Sequence, residues 1–136
     1  RNSKLQNPNS KLICILGSAG GGRDKWKRPV LGKIAATYCD EIILTNEDPY
    51  DEKSEQILNE IESGFSKIPN PKSQIPKYFK ILDRKEAIQK AISLAKKGDV
   101  VVITGKGSEA WVHESGGKKI SWSDSGIVKE ILSKKK

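Results

Sequence analysis

Residues 17–29, GSAGGGRDKWKRP, are the first candidate for a binding site in this sequence. A glycine-rich run is followed there by basic residues. Exposed backbone N–H groups and cations both attract anions, so this pattern is typical of a phosphate-binding loop. The spacing fits neither common nucleotide motif. Gly17 and Gly22 have the Walker A spacing, but Arg23 and Asp24 follow instead of Lys and Ser or Thr, and Ala19 replaces a glycine of the dinucleotide motif. The loop therefore predicts an incomplete anion site, or else a glycine turn with solvated cations.

A second loop, TNEDPYDE at residues 45–52, groups four carboxylates around Tyr50. One interpretation is structural: Asp51 caps a helix, and the acidic residues after it complement the helix dipole. That interpretation does not account for Glu47 and Asp48, which precede the turn. Two carboxylates at the carboxyl end of a strand could instead bind an ammonium group or a metal ion.

A third loop, TGKGSEAWVHESGG at residues 104–117, places glycines on both sides of Lys106, and Glu109 follows. A glycine pair after a strand allows close approach of a ligand to the backbone, and the alternative is a tight turn with a solvated lysine. His113 is the single histidine, and no metal-ligand spacing surrounds it. We expect His113 to be a surface residue.

The elements that must position these loops alternate between apolar strand patterns and amphipathic helix patterns. Strands are predicted at 11–17, 41–49, 78–83 and 100–107, helices at 27–40, 51–65, 84–99 and 123–136, and a short edge strand at 118–124. This order predicts an α/β fold: an open, mostly parallel, Rossmann-like sheet with helices on both faces and a short antiparallel edge strand. Ligands bind at the carboxyl ends of such sheets, so the three loops are expected to share one crevice.

The composition limits the classes of protein to which the chain can belong. Its 136 residues predict one domain, which we place at residues 11–136, after a linker at 1–10 and with a basic tail at 133–136. The sequence contains no apolar run of about 18 residues and no secretion signal, so we expect a cytoplasmic location and no membrane partner. It contains no methionine, from which we expect a domain taken from a longer protein.

The charged residues and the cysteines add two further expectations. The net charge is +8, but only Trp26 is interleaved with the basic residues, so a nucleic-acid partner is disfavoured. Cys14 and Cys39 are predicted to be buried, reduced thiols, because a metal site would need more ligands than these cysteines and one histidine provide.

Taken together, the motifs resemble the C-terminal domain of the Mur ligases. The stretches GSAGGGRDKWKRPVLGKIA, ILTNEDPYDE, LDRKEAIQKAI, GDVVVITGKGSE and ISWSDSGIVKEIL follow the order found in that family and cover about residues 11–132. The most similar type is UDP-N-acetylmuramoyl-tripeptide synthetase, which adds the third residue of the peptidoglycan stem peptide to UDP-N-acetylmuramoyl-dipeptide.

The resemblance implies an ATP-dependent ligase of three domains. The substrate carboxylate becomes an acyl phosphate, which the amine of the incoming amino acid attacks. The P-loop, the magnesium ions and a carbamylated lysine belong to the central domain, so this chain is expected to carry no catalytic residue and no metal site of its own. We therefore predict that the isolated domain is inactive and monomeric.

The resemblance also implies residue roles. Arg23 matches an arginine that binds the amino acid's carboxylate, and Gly105 and Glu109 match residues that contact its distal group. The predicted amino-acid site is Arg23, Glu47, Asp48, Pro49, Tyr50, Gly105 and Glu109, and the predicted ATP or phosphate contacts are Lys25, Lys27, Arg28 and Lys106.

The sequence departs from the family at residues 47–50, EDPY, where diaminopimelate-adding members have DNPR. Tyr50 cannot form the bidentate pair with a carboxylate that the arginine of that motif forms. Glu47, Asp48 and Glu109 would also make the pocket acidic. We therefore predict that meso-diaminopimelate is not the substrate and that an amino acid with a side-chain amine, such as lysine, fits better.

Three alternatives remain open at this point. The chain could be the matching domain of a folylpolyglutamate synthase-like ligase, or a stand-alone α/β module that binds anions or nucleotides. The third is a basic nucleic-acid-binding domain.

Overall fold

The structure is a computed structural model that describes residues 9–22, 24–68, 75–106 and 109–135. Within these ranges the strands are β1 (Leu12–Leu16), β2 (Glu41–Leu44), β3 (Lys77–Lys80), β4 (Val100–Ile103), β5 (Trp111–His113) and β6 (Lys119–Ser121). The α-helices are α1 (Lys27–Tyr38), α2 (Ser54–Glu62), α3 (Arg84–Leu94) and α4 (Asp124–Lys134), and short 3₁₀ turns lie at Phe65–Lys67 and Ser115–Gly117.

Four strands form one parallel sheet in the order β3-β2-β1-β4. β5 and β6 pair antiparallel in a separate two-stranded hairpin. The predicted α/β class with an open parallel sheet is confirmed. β2 and β3 lie on one side of β1, and β4 lies on the other side. The strand order therefore reverses at β1, and the carboxyl ends of β1 and β4 form the switch point where such sheets bind ligands.

Helices cover both faces of the sheet, and each face has its own core. On one face, α1 and α2 pack with Phe65 on the alternate side chains Cys14, Leu16, Ile42 and Leu44. On the other, α3 and α4 pack on Ile13, Ile15 and Ile43. The central strands are therefore buried on both sides, which explains why β1 and β2 read as continuous apolar runs.

Several predicted boundaries are corrected by the structure. Lys53 is at the N-cap of α2 and provides no side-chain cap, while Asp51 accepts a hydrogen bond from Gly116 N at 2.8 Å. β6 pairs with β5 rather than with an edge of the main sheet, and β5 itself was not predicted. Ser123 is the N-cap of α4, since its Oγ accepts a hydrogen bond from Gly126 N at 3.0 Å.

The helical pattern over residues 27–40 gave the right element, but much of its apolar stripe faces solvent. Val30, Ile34 and Tyr38 are exposed, whereas the face of α1 that packs inward carries the small residues Ala35 and Ala36. Small side chains allow this helix to lie close to the sheet, so spacing alone did not identify the buried face.

The prediction of two reduced thiols is contradicted, because the structure joins Cys14 to Cys39 in a disulfide. Cys14 lies on the side of β1 that faces α1, and Cys39 follows the last residue of that helix. The packing brings the two Cα atoms to 6.3 Å, within the range that a disulfide spans.

None of the helices in the described ranges is both long enough and apolar enough to cross a membrane.

Candidate functional site

The three predicted loops do meet at the carboxyl end of the sheet. Gly20 N donates a hydrogen bond of 2.6 Å to the carbonyl of Asp48, which ties the glycine loop to the loop after β2. A side chain at position 20 would collide with the carbonyl of Pro49, so this close approach requires glycine. Beside this contact lies a cleft of about 480 Å³, lined by Gly17, Ser18, Ala19, Asp24, Lys27, Arg28, Leu31 and Glu47.

Asp48 and Lys106 form a buried ion pair between the loops after β2 and β4. The Lys106 ammonium donates to both carboxylate oxygens of Asp48, at 2.8 and 2.9 Å, and its side chain is 0% exposed. Asp48 also accepts the backbone N–H of His113 at 2.9 Å. One carboxylate thus joins the loops after β2 and β4 to the hairpin, and its negative charge is matched by the lysine.

Arg28 is also a buried, fully engaged cation. Its five N–H groups reach the Glu52 carboxylate twice, Glu60, the carbonyl of Ala19 and the hydroxyl of Ser18. The hydrogen bond from Arg28 lowers the pKa of Glu52 to about 2. In this conformation Arg28 and Lys106 both bind carboxylates of the chain itself, and their phosphate contacts stay predictions.

Lys25 and Lys27, which follow the glycine loop, are exposed cations. Lys27 is the first residue of α1, lines the cleft and forms an ion pair of 3.3 Å with Asp24. Lys25 is exposed and lies 3.8 Å from Glu52. Both remain candidates for contact with an anion. Arg23, the predicted carboxylate contact, lies outside the described residues.

Glu47 and Gly105 face each other across the gap between the loops after β2 and β4. Gly105 has φ +102°, a backbone conformation that favours glycine, and a Cβ there would lie 2.6 Å from Oε2 of Glu47, so the carboxylate of Glu47 lies close against this glycine. Burial raises the pKa of Glu47, the charge of Asp48 adds to this effect, and the charges of Arg84 and Lys106 only partly oppose it. Glu109 stands at the outer side of the same gap, with its side chain 58% exposed and 3.3 Å from Lys106 Nζ.

Tyr50 occupies a constrained position next to the hairpin. Its backbone has φ +51°, which is uncommon for a residue with a side chain. Its ring stacks on His113 with centroids 5.2 Å apart and planes 7° apart, and its N–H donates to the His113 carbonyl at 3.2 Å. The expectation that His113 is only a surface residue missed this contact, because the β5–β6 hairpin that carries it was not predicted as a unit.

Arg84 is a residue of the site region that sequence reasoning missed. It donates to the carbonyls of Asn46 and Thr104, at 2.9 Å each, and so holds the loops after β2 and β4. It also forms a bidentate pair with Asp124 at the start of α4. Burial opposes ionisation of Asp124, but hydrogen bonds from Arg84 and Trp122 outweigh it and lower the pKa of Asp124 overall. The signal available in the sequence was LDR at residues 82–84, where the helix α3 begins.

Comparisons with known proteins agree with the resemblance seen in the motifs. The family model described as Mur ligase, glutamate ligase domain, matches residues 2–107. The chain is 47% identical over 122 residues to UDP-N-acetylmuramoyl-L-alanyl-D-glutamate--2,6-diaminopimelate ligase of Aquifex aeolicus, covering 90% of this chain and 23% of that protein. It is 39% identical over 128 residues to the ligase of the same name from Chlorobium phaeobacteroides, which covers 94% of this chain and 23% of that protein. The chain thus spans about a quarter of the length of these relatives.

Our prediction that the amino acid is not diaminopimelate is contradicted by these relatives, each of which is named as a 2,6-diaminopimelate ligase. The structure gives a physical reason for this correction. The charge of Asp48, which would make the pocket acidic if it were free, is neutralised by the buried Lys106. Because the pocket has fewer uncompensated carboxylates than the sequence suggested, its charge gives no reason to exclude diaminopimelate, which has two carboxylates.

A solved structure of a UDP-N-acetylmuramoyl-L-alanyl-D-glutamate--2,6-diaminopimelate ligase superposes on this fold with a TM-score of 0.78 and 30% identity, covering 92% of this chain and 24% of that one. The likeness therefore extends from the motifs through the whole sheet and its helices. With a family model that matches most of its length and relatives more than 30% identical, this chain belongs to the Mur ligase family, as its glutamate ligase domain.

Proposed function

We propose that this chain is the amino-acid-binding domain of a cytoplasmic, ATP-dependent ligase that adds 2,6-diaminopimelate to UDP-N-acetylmuramoyl-L-alanyl-D-glutamate in peptidoglycan synthesis. The observation that carries the substrate is the shared name of relatives that match at least 90% of the chain at 39–47% identity. The geometry supports a binding role for this domain, because the glycine loop and Glu47 line a cleft at the switch point of the sheet, and Gly105 lies next to Glu47.

The residues of this chain do not fit a complete site for ATP and magnesium. The sequence has no Walker A motif, and within the ranges that the structure describes no group of three or more His, Cys, Asp or Glu side chains could hold a metal ion. On this proposal, the sites for ATP and magnesium belong to another domain of the ligase, which activates the carboxylate of the nucleotide-linked dipeptide.

The task of this domain is then to bind and orient the amino acid. Carboxylates at Glu47 and Glu109 suit the ammonium groups of the substrate, and the exposed cations Lys25 and Lys27 suit its carboxylates or a phosphate. Holding the amine close to an activated carbonyl converts a bimolecular step into an effectively unimolecular one, which can contribute roughly 7–11 kcal/mol to lowering the barrier.

The test is an assay of the ligase that contains this domain, with UDP-N-acetylmuramoyl-L-alanyl-D-glutamate, ATP and either meso-diaminopimelate or L-lysine. We expect release of phosphate and formation of the tripeptide product with diaminopimelate, at a kcat/KM at least tenfold above that with lysine. A preference for lysine, or no ligation with either amino acid, would refute the proposal. The isolated 136-residue chain is the control, and we expect it to show no ATP-dependent ligation.

A further inference from the structure

Four apolar and aromatic side chains of α1 and β4 remain exposed in this structure. Val100 and Val102 of β4 and Ile34 and Tyr38 of α1 are each between 39% and 57% exposed. Single exposed apolar residues are ordinary on a protein surface, but a contiguous apolar patch marks a contact surface. The register of β4 and the packing of α1 place these four side chains in one patch.

Val100 and Val102 lie on the face of the sheet that carries α1. They pair with Leu12 and Cys14 of β1, and residues paired across neighbouring strands share a face. Cys14 belongs to the core beneath α1 and α2, and Leu12 packs against that core. Because β4 is an edge strand of the four-stranded sheet, the face that α1 covers continues past β1 onto these two valines.

α1 presents Ile34 and Tyr38 on the side nearer β4. Its other side lies against α2, because a Cβ at Gly32 would collide with the carbonyl oxygen of Ile61. Ile34 lies about 200° further round the helix than Gly32, and Tyr38 follows Ile34 by about one turn. α2 connects β2 to β3, and these strands lie on the opposite side of β1 from β4. We call the surface formed by Val100, Val102, Ile34 and Tyr38 the β4 groove.

The β4 groove is uncovered at a place where parallel sheets are normally covered. Such sheets carry helices on both faces, since their strands are apolar on both sides. On the other face of β4, Val101 and Ile103 pack against the core that α3 and α4 complete. A further helix beside α1 would complete the layer on the face that carries the β4 groove.

Two observations indicate that this helix comes from the same ligase. The chain spans about a quarter of the length of its relatives, so most of such a ligase lies outside it. The carbonyl of Lys11, directly before β1, accepts a hydrogen bond of 2.9 Å from Val100 N, so the polypeptide enters the sheet at one end of the β4 groove. A segment tethered near a surface has a high effective concentration there, which favours it over a separate partner.

We propose that an amphipathic helix from the part of the ligase outside this chain packs its apolar face into the β4 groove. This inference rests on the proposed function in that a longer ligase contains this domain, but it does not depend on the amino acid that the ligase adds. The docked helix lies beside α1, whose residues Lys27 and Leu31 line the 480 Å³ cleft. It therefore supports one wall of that cleft.

The test is cysteine labelling of the ligase that contains this domain, with Ile34→Cys and the matched control Lys33→Cys. Lys33 is exposed on the same helix and lies about 100° away from Ile34, on the side that the docked helix leaves open. Modification by a maleimide is followed at each site by mass spectrometry. We expect the cysteine at position 34 to react at least about tenfold more slowly than the control in the folded ligase, and equally fast in urea. Equal rates in the folded ligase would show an open groove and overturn the proposal.

Thermal unfolding of the same ligase gives an independent measurement. Ile34→Lys should lower Tm, because the docked helix would bury the ammonium group. The control Thr37→Lys adds the same charge at an exposed position of α1 and should leave Tm unchanged. If Ile34→Lys also leaves Tm unchanged, or raises it, the groove is not covered and the proposal is wrong.

The remaining outcomes separate the possible sources of protection. Slow labelling at position 34 that is lost when the ligase is diluted would assign the groove to a second copy and overturn the proposal. Slow labelling that is independent of concentration supports it. A ligase that shows this protection but does not ligate diaminopimelate would overturn the proposed function and leave the covered groove in place.

Discussion

The buried pair of Asp48 and Lys106 gives the sharpest test of how this site is built. We consider Lys106→Met, which keeps the length of the side chain and removes its charge. The Asp48 carboxylate would then lose the ammonium that contacts both its oxygens, at a place where the two side chains are 7% and 0% exposed. Breaking a buried ion pair by removing one partner costs about 3–5 kcal/mol, because an uncompensated charge stays behind.

That loss is large relative to the stability of a domain of this size. At roughly 0.05–0.15 kcal/mol per residue, a chain of 136 residues has a free energy of unfolding of about 7–20 kcal/mol. Its unfolding entropy near the midpoint is about 0.3 kcal/mol/K. Lys106→Met is therefore expected to lower Tm by roughly 10–17 °C, measured by circular dichroism and checked by urea denaturation.

The matched control is the double variant Asp48→Asn with Lys106→Met, which removes both charges. The amide oxygen that Asp48→Asn introduces can still accept the His113 N–H, so we expect the double variant to be more stable than Lys106→Met despite its additional substitution. If Lys106→Met lowers Tm by less than 3 °C, the inference that this buried ion pair stabilises the domain is wrong. A double variant at least as unstable as the single one would show that the pair is not the origin of the loss.

Three further predictions concern other contacts. Arg28 holds the pKa of Glu52 at about 2, against an ordinary value of 4.5, so the pair should stabilise the chain above about pH 4.5 and lose this effect as pH falls towards 2. The urea concentration at the unfolding midpoint should therefore fall less between pH 6 and pH 3 in Glu52→Gln than in the parent. Reduction of the Cys14–Cys39 disulfide, which links residues 25 apart, should lower the free energy of unfolding by about 3 kcal/mol in urea titrations, and an effect below about 1 kcal/mol would argue against the bond. In the full ligase, Arg23→Ala should raise the KM for the amino acid far more than the KM for ATP, whereas equal effects would contradict its predicted role.

The order of strands and helices was predictable because it depends on local patterns. Continuous apolar runs marked β1 and β2, and spacings of three and four residues marked the helices. The alternation of the two, with the rule that ligands bind at the carboxyl ends of parallel strands, was enough to predict that the loops at 17–28, 45–51 and 104–109 converge. The described parts of these loops do so.

The short hairpin was harder to predict. β5 has only three residues, and its strand conformation depends on pairing with β6, which lies after an intervening turn. A strand stabilised mainly by its partner has little signal in its own sequence. Because the hairpin was not predicted, the contact that it makes between His113 and the ring of Tyr50 was not predicted either.

The sequence by itself determined the fold class, the family resemblance and the candidate residues around the cleft, because these depend on residue type and short-range spacing. Only the tertiary structure decided which of the charged residues are available to a ligand. Lys106 meets Asp48 across 58 residues and Arg28 meets Glu52 across 24, and both pairings exist only after the sheet has brought separate loops together. The same closure leaves Glu47 without an ion-pair partner among the described residues, and no pattern in the sequence distinguishes it from its neighbour Asp48.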